Sequence, residues 1–349
     1  CPFGGEPLQQ YGVELDEGRV QVLRIAWDTR KNQWFYVAPV DARDERLLPG
    51  DPLHWTGIAQ NWNTMCAECH STNLRKNFDH ATNSYHTEYS EIDVSCEACH
   101  GPGSLHVELA DSNSLFWDRN VGYGLTNNMK VADNDPQIET CAPCHSRRVA
   151  IDAHYRHGDD YHDSFQPQLL EPGLYHADGQ ILDEVYVYGS FLQSKMYHKG
   201  VRCTDCHQPH SLKLKFEGNQ LCAQCHQPGK YDTPAHHHHA GPAAESAGAT
   251  LCVNCHMISR TYMEIDDRRD HSFRIPRPDL SVELGTPNAC NDCHDARDED
   301  AAWAAEKVLE WYGPERPDDP RKAFERWRRA HASQCPGTRS RAADHPVDA

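Results

Sequence analysis

The sequence is short of the residues that normally build a protein core. Hydrophobic residues make up 38% of its 349 positions, aromatic residues make up 9%, and the mean hydropathy is −0.78. A chain of this length has room for one large domain or two ordinary ones. Such a thin apolar supply predicts either disorder or a core that is built partly by something other than side chains.

Positive charge and long apolar runs are also scarce. The chain has 34 lysines and arginines against 52 aspartates and glutamates, which gives a formal net charge of −18. Nucleic-acid binding needs a basic surface, so the composition argues against a nucleic-acid partner. No run of about 18 apolar residues is present, so no transmembrane helix is predicted. No signal peptide is visible, and a chain that starts at Cys1 is compatible with removal or omission of an upstream segment.

Cysteine and histidine are abundant instead, with 16 and 24 copies. Fourteen of the cysteines fall into seven copies of the pattern C-x-x-C-H. The composition would produce about 0.05 copies by chance. The seven motifs comprise the cysteine pairs Cys66/Cys69, Cys96/Cys99, Cys141/Cys144, Cys203/Cys206, Cys222/Cys225, Cys252/Cys255 and Cys290/Cys293, followed by His70, His100, His145, His207, His226, His256 and His294.

C-x-x-C-H is the attachment signature of c-type haem. The two thiols add to the two vinyl groups of one porphyrin, and the adjoining histidine becomes the proximal ligand of the iron. Structural zinc does not need this histidine each time, redox-active C-x-x-C accompanies a βαβ pattern, and disulfide frameworks are typical of short secreted chains. The sequence therefore predicts seven covalently bound haems c, which would replace the missing apolar core.

The second axial ligand of each iron is predicted to be histidine. Removing the seven proximal histidines from 24 leaves 17, whereas the chain has five methionines. This supply favours low-potential haems with two histidine ligands. Each candidate could instead be an ordinary surface residue, and the run of four histidines at 236–239 could be a solvated loop or an adventitious metal tract. The distal candidates are His54, His86, His106, His176, His198, His210 and His271, together with one or two from that run, where His237 and His238 are named.

The predicted fold is mainly α with long loops, a haem-packed core and a small N-terminal β-hairpin region. We expect a β-rich cap over residues 1–50, a seven-haem domain over 51–296, a helical segment over 297–335 and a disordered tail over 336–349. Two alternating runs, VQVLRIAWD and QWFYVAPV, predict the hairpin. The stretch DEDAAWAAEKVLEWY predicts an amphipathic helix that Asp298 or Asp300 caps and Gly313 ends. Cys1 and Cys335 lie outside the motifs and could form a disulfide, while Cys1 could also carry a lipid or mark a sequence boundary.

Several segments resemble a family of bacterial multihaem c-type cytochromes that often continue into tetratricopeptide repeats. They include PLHWTGIAQNWNTMCAECHSTN, SEIDVSCEACHGPGS and KYDTPAHHHH, and the resemblance runs from about residue 7 to about residue 312. It implies an exported redox protein, periplasmic or extracellular, with covalently bound haem. Family members usually carry a further motif upstream and several repeats downstream. A distal ligand from such an upstream part would here have to be replaced, with a neighbouring subunit as one source.

The leading functional hypothesis is long-range electron transfer, because seven haems in one chain permit hopping without a diffusing carrier. The expected partners are redox proteins or extracellular electron acceptors. One possible arrangement is a homopolymeric filament with haem contacts between subunits. The alternatives are a soluble periplasmic shuttle and a subunit that docks to a membrane complex. The alternative function is a multihaem oxidoreductase with one open iron that acts on a small nitrogen or sulfur compound. The sequence identifies no catalytic residue for it.

Overall fold

The computed structural model describes residues 2–37, 46–112, 122–127 and 129–313. The part of the predicted helical segment after residue 313, the predicted tail, Cys1 and Cys335 lie outside these ranges. The chain divides into two compact units, residues 1–276 and residues 277–349. Within the described ranges, no helix is long and apolar enough to span a membrane. The domain boundaries predicted near residues 50 and 296 stay predictions.

The N-terminal part of the first unit is an antiparallel sheet of four strands in sequence order. The strands are β1 (Pro2–Phe3), β2 (Leu8–Glu14), β3 (Val20–Asp28) and β4 (Gln33–Tyr36). β3 and β4 form the predicted hairpin, in which Trp27 pairs with Trp34 at a ring-centroid distance of 5.3 Å. Val22 of β3 packs against Trp62 and Ala67, so the sheet supports the first C-x-x-C-H motif.

Most helices in the described ranges are single turns, because Gly and Pro interrupt the chain often. Numbered α1 to α14 in chain order, they are Trp62–Met65, Glu97–His100, Ser104–Asp111, Asp135–His145, Tyr161–Ser164, Tyr188–Leu192, Cys203–Cys206, Gln220–Ala223, Pro228–Tyr231, Pro234–His237, Pro242–Ser246, Cys252–His256, Pro278–Leu284 and Ala301–Tyr312. The last of them, α14, is the predicted amphipathic helix. The Asp300 carboxylate accepts hydrogen bonds from the amides of Ala302 and Trp303 at 2.9 and 3.0 Å, and Gly313 ends the helix with φ of 72°.

The remaining strands form short antiparallel hairpins between the helices. In chain order the pairs are β5/β6 (Phe78–Asp79 with Ser84–Tyr85), β7/β8 (Arg148–Ala150 with Phe165–Pro167), β9/β10 (His207–Gln208 with Lys213–Leu214) and β11/β12 (Ser259–Tyr262 with Asp266–Arg269). The described chain therefore combines short helices with small sheets, and long loops connect them.

Buried side chains form small clusters rather than one large core. The main cluster consists of Ile138, Ala142, Tyr161, Phe165, Tyr188 and Phe191. Tyr161 is fully buried, and its hydroxyl lies 2.7 Å from the Ser146 hydroxyl. Two of these residues, Ile138 and Ala142, belong to α4, which carries the third motif. The apolar side chains are thus concentrated beside the motifs, as the low hydrophobic content leads us to expect.

Candidate haem sites

The C-x-x-C-H motifs fold locally into turns of helix, except that in the fourth motif the helix ends at Cys206 and His207 begins β9. The amide of His70 donates to the carbonyl of Cys66 at 3.1 Å, and the amides of His100, His226 and His294 make the corresponding bond at 2.9 Å. The other three motifs lie at α4, α7 and α12. One helical turn places residues i, i+3 and i+4 on the same side of the backbone. The local fold therefore presents both thiols and the histidine together.

Thiols from different motifs are in contact within the first unit. The Cys144 thiol donates to the Cys69 sulfur, which raises the pKa of Cys144 and lowers that of Cys69. The Cys141 thiol donates in the same way to Cys203 and has its pKa raised. These pKa shifts concern the free thiols, since a thioether sulfur carries no proton. The third motif is thus adjacent to the first motif and to the fourth.

The fifth and sixth motifs meet in the same manner. A hydrogen bond from Cys252 lowers the pKa of the Cys222 thiol to about 7 and raises that of Cys252. The side chain of Asn219 holds this junction, because it accepts from the Cys252 amide and donates to the Thr250 carbonyl, both at 2.9 Å. The Asn219 side chain therefore holds the backbone of the sixth motif beside the fifth motif.

The second cysteines of the fifth and sixth motifs, Cys225 and Cys255, differ in exposure. Cys225 is exposed, and its amide donates to the Cys222 carbonyl at 3.2 Å, whereas Cys255 lies inside α12 and is half-buried.

Burial raises the pKa of the Cys206 thiol, and the neighbouring Asp205 and Cys225 raise it further. The fifth motif is therefore close to the fourth through Cys225. The roles of Cys225 and Cys255 in haem attachment stay predictions from the motif.

An ion pair reinforces the junction between the first and third motifs. Glu68, inside the first motif, lies 3.3 Å from Arg148, whose side chain is 8% exposed. The Arg148 guanidinium also donates to the Pro143 carbonyl at 2.7 Å and lies over the Phe165 ring at 4.0 Å. A guanidinium that is buried in this way needs such partners to offset its desolvation. Arg148 therefore joins the first motif to α4.

Polar side chains also join the third motif to the second and the fourth. Gln137 of α4 accepts from the amide and the hydroxyl of Thr204, inside the fourth motif, at 3.1 and 3.0 Å. Asn127 donates to the Cys99 carbonyl at 3.3 Å and to the Thr140 hydroxyl at 2.5 Å. Buried polar groups of this kind specify position, since leaving them unpaired is costly. The third motif consequently adjoins the first, the second and the fourth motifs.

Three proximal histidines each lie opposite a second, nearly parallel imidazole. The ring centroids of His100 and His210 are 6.1 Å apart at 12°, those of His207 and His271 are 6.2 Å apart at 24°, and those of His256 and His236 are 6.2 Å apart at 13°. A metal–imidazole bond is about 2 Å long, so two rings on opposite sides of one iron have centroids roughly 6 Å apart. The three pairs fit haem iron with two axial histidines.

The protonation of these rings suits metal binding. Burial lowers the pKa of His100, His207, His236 and His271, and a neutral imidazole is the form that binds a metal. His271 Nδ1 lies 2.9 Å from the Arg269 carbonyl, so Nε2 is left to act as the ligand. In this way the tertiary structure fixes the orientation of the ring.

The other distal candidates contact hydroxyl, carbonyl, guanidinium or phenol groups. His54 Nδ1 lies 2.8 Å from the Thr56 hydroxyl, His86 Nε2 lies 3.1 Å from the Ser84 hydroxyl, and His106 Nδ1 lies 2.7 Å from the Tyr123 carbonyl. His176 Nε2 lies 3.2 Å from the Arg260 guanidinium, and His198 contacts the Tyr197 ring at 5.0 Å. Their roles as distal ligands stay predictions.

Within the run of four histidines, the ring opposite a proximal histidine belongs to His236. α10 covers His236 and His237, and His238 follows with φ of 59°. His237 and His239 also stack, at 6.4 Å and 27°, but neither follows a cysteine pair, so their separation does not mark a haem. The sequence analysis predicted one or two distal ligands from this run and named His237 and His238 as the candidates. The register of α10, which the sequence does not reveal, decides which ring faces His256.

Two features near the seventh motif were not predicted. His294 lies beside Glu299, with Nδ1 and Oε2 3.1 Å apart, and its ring centroid is 4.8 Å from that of Trp303. The spacing of five and nine residues along the chain gave no sign of either contact.

In the part of the chain that the structure describes, the motif cysteines are not grouped as the ligands of one shared metal ion would be. None of the fourteen motif cysteines forms a disulfide. Within the described ranges, no three His, Cys, Asp or Glu side chains are grouped so that they could hold a metal ion. Structural zinc needs about four such ligands together. The thiol contacts described above are pairwise, and each joins two different motifs.

Comparisons with known proteins found a family model and two solved cytochrome structures that are similar to the chain. A family model described as "Doubled CXXCH motif" matches residues 196–231, which hold the fourth and fifth motifs. The chain is similar to the outer cell wall cytochrome OcwA, with 17% identity and a TM-score of 0.58 over 87% of this chain and 73% of that one. It also resembles the undecahaem cytochrome from the S-layer of Carboxydothermus ferrireducens, with 19% identity and a TM-score of 0.44 over 88% of this chain and 52% of that one. No curated protein sequence matches the chain.

The chain therefore has a multihaem-cytochrome fold. The likeness to OcwA establishes the fold alone, because the two sequences are 17% identical. The doubled C-x-x-C-H match, added to the local geometry of the motifs, supports covalent binding of haem c. The expected link to tetratricopeptide repeats stays a prediction.

Proposed function

We propose that the chain is a c-type cytochrome that carries electrons over a long distance through seven covalently bound haems, most of them with two axial histidines. When bound, haem c supplies one-electron redox chemistry at its iron. The residues of the chain hold the porphyrins at the seven motifs, fix the axial ligands and set the distance between neighbouring attachment points.

The histidine pairs are the observation that carries this proposal. We assign His210 as the distal ligand of the second haem, His271 as that of the fourth and His236 as that of the sixth. The ring separations of 6.1 to 6.2 Å support this assignment. Two histidines complete the coordination of an iron and favour electron transfer over substrate binding.

A continuous series of contacts between motifs supports transfer along the chain. Thiol contacts join the first motif to the third, the third to the fourth, and the fifth to the sixth. The Gln224 side chain, in the fifth motif, donates to the Asp205 carbonyl in the fourth at 3.4 Å, and Asn127 joins the second motif to the third. We infer that the six haems of the first unit form one connected path with a branch at the third.

The proposed partners and location follow from charge and from haem chemistry. A formal net charge of −18 favours basic or metal-bearing electron acceptors and donors. OcwA is a cytochrome of the outer cell wall. We propose that this chain also acts outside the cytoplasm, in the periplasm or at the cell exterior. Assembly into a filament is a further proposal, for which electron microscopy of the purified protein gives the test.

The haem count and the ligation class can be tested together. The exported protein should migrate as a haem-stained band, and its intact mass should exceed that of the polypeptide by seven haems. Its oxidised spectrum should be low-spin, and carbon monoxide should leave the reduced spectrum almost unchanged. A colourless polypeptide would refute haem binding. A strong high-spin signal with carbon monoxide binding would instead favour the oxidoreductase.

A further inference from the structure

The seventh proximal histidine is held against a carboxylate in the second unit. His294 follows Cys290 and Cys293, and its Nδ1 lies 3.1 Å from Glu299 Oε2. Both side chains are about one-third exposed, at 33% and 36%. By contrast, Nδ1 of the sixth proximal histidine, His256, lies 2.7 Å from a backbone carbonyl. The two histidines thus have second partners of different charge.

Asparagine side chains fix the loop that brings His294 and Glu299 together. Asn291 Nδ2 donates to the His294 carbonyl at 2.9 Å and to the Glu299 carbonyl at 2.7 Å. Asn288 Oδ1 in turn accepts from the amides of Cys290 and Asn291 at 3.1 and 3.2 Å. These bonds close residues 288–299 into a defined loop, and the histidine–carboxylate contact is part of it.

The helix that follows the loop covers the imidazole from the side. Asp300 caps α14 directly after Glu299, and Trp303 lies one turn further on. The Trp303 and His294 ring centroids are 4.8 Å apart, with the planes inclined at 42°. An indole in this position restricts rotation of the imidazole and shields one face of it from water. Shielding from water strengthens a hydrogen bond between an imidazole and a carboxylate.

We propose that Glu299 is a positioning residue that lowers the reduction potential of the seventh haem. This inference rests on the proposed haem-binding function. When Nε2 binds the iron, Nδ1 carries the ring proton and donates it to the Glu299 carboxylate. The negative charge makes the imidazole a stronger electron donor, so the oxidised iron is favoured over the reduced iron. The neutral carbonyl that faces His256 has a weaker effect of this kind.

The test is a spectroelectrochemical titration of the full haem-loaded chain and of Glu299→Gln. We expect one component in seven to become easier to reduce by at least about tenfold, which corresponds to 59 mV for one electron. Glu299→Asp keeps the negative charge but moves it one methylene further from His294. The reduction potential should therefore shift less in this variant than in Glu299→Gln. Glu306→Gln is the matched control, because Glu306 is an exposed residue of α14 and its loss removes the same charge. It should leave the titration close to that of the unmodified chain.

Intact mass separates this inference from the proposed function. A chain without haem contradicts the function itself. If seven haems are present and Glu299→Gln leaves all components unchanged, or if Glu306→Gln shifts one equally, the role of Glu299 is refuted. If Glu299→Gln loses its seventh haem, the Glu299→Asp titration decides, since an unchanged curve there contradicts the proposal and an upward shift of one component supports it.

Discussion

Replacing His210 tests the proposed ligand pairs most directly. His210 lies three residues after the fourth proximal histidine, but its ring faces His100 of the second motif at 6.1 Å. Alanine keeps only the Cβ atom, so no atom of residue 210 can then reach the iron. We expect His210→Ala to convert one iron in seven to a high-spin form that binds carbon monoxide, while all seven haems remain attached. Electron paramagnetic resonance and carbon monoxide titration would count the open sites.

A combined variant identifies which haem is opened. In a chain whose second motif cannot attach haem (Cys96→Ser with Cys99→Ser), His210→Ala should open no further iron. His271→Ala should still open one in that background, because it faces the fourth motif. The control is His154→Ala, since His154 is 88% exposed and pairs with an aspartate. If His210→Ala opens an iron even without the second haem, or opens none in the full chain, the assignment is wrong.

Three further perturbations follow from the same structure. His236→Ala should open a single iron by the same assay, and a low-spin spectrum in that variant would refute the pairing in the sixth site. Asp270→Ala should lower stability to urea by about 1–3 kcal/mol, because this buried carboxylate accepts two backbone amides beside His271; an unchanged midpoint would contradict this. Asp300→Ala should weaken the N-terminus of α14 by about 1 kcal/mol and speed amide exchange there, whereas Asp298→Ala should not; equal exchange in both variants would argue against the cap.

Features that depend on neighbouring residues were predictable from the sequence. The hairpin of β3 and β4 followed from alternation of apolar and polar residues. The helix α14 followed from its apolar stripe, Gly313 and a cap at Asp298 or Asp300, of which the structure uses Asp300. Both are determined by interactions within about a dozen residues. The prediction of a mainly helical fold is not confirmed, because the helices in the described ranges are short and small sheets accompany them. Single turns of helix leave too weak a periodicity to be recognised.

The facing of distal candidates toward motif histidines depends on long-range packing. His100 and His210 are 110 positions apart, and the packing of the chain brings their ring centroids within 6.1 Å of each other. The run of four histidines shows the same limit at short range. Its composition predicted a source of ligands. Which of its rings faces His256 depends on where α10 begins and how it packs, and the structure places His236 there.

The sequence by itself determined where haem can attach, because two thiols and a histidine within five residues contain the whole chemical requirement. It also determined the scarcity of apolar side chains that such cofactors would offset. Only the tertiary structure decided which histidine faces which motif and which thiols are in contact. It also decided which carboxylate lies within hydrogen-bond distance of His294. These relations depend on how the chain packs, even for His294 and Glu299, which are only five residues apart. Burial, hydrogen bonds and loop closure select among the many histidines that could serve.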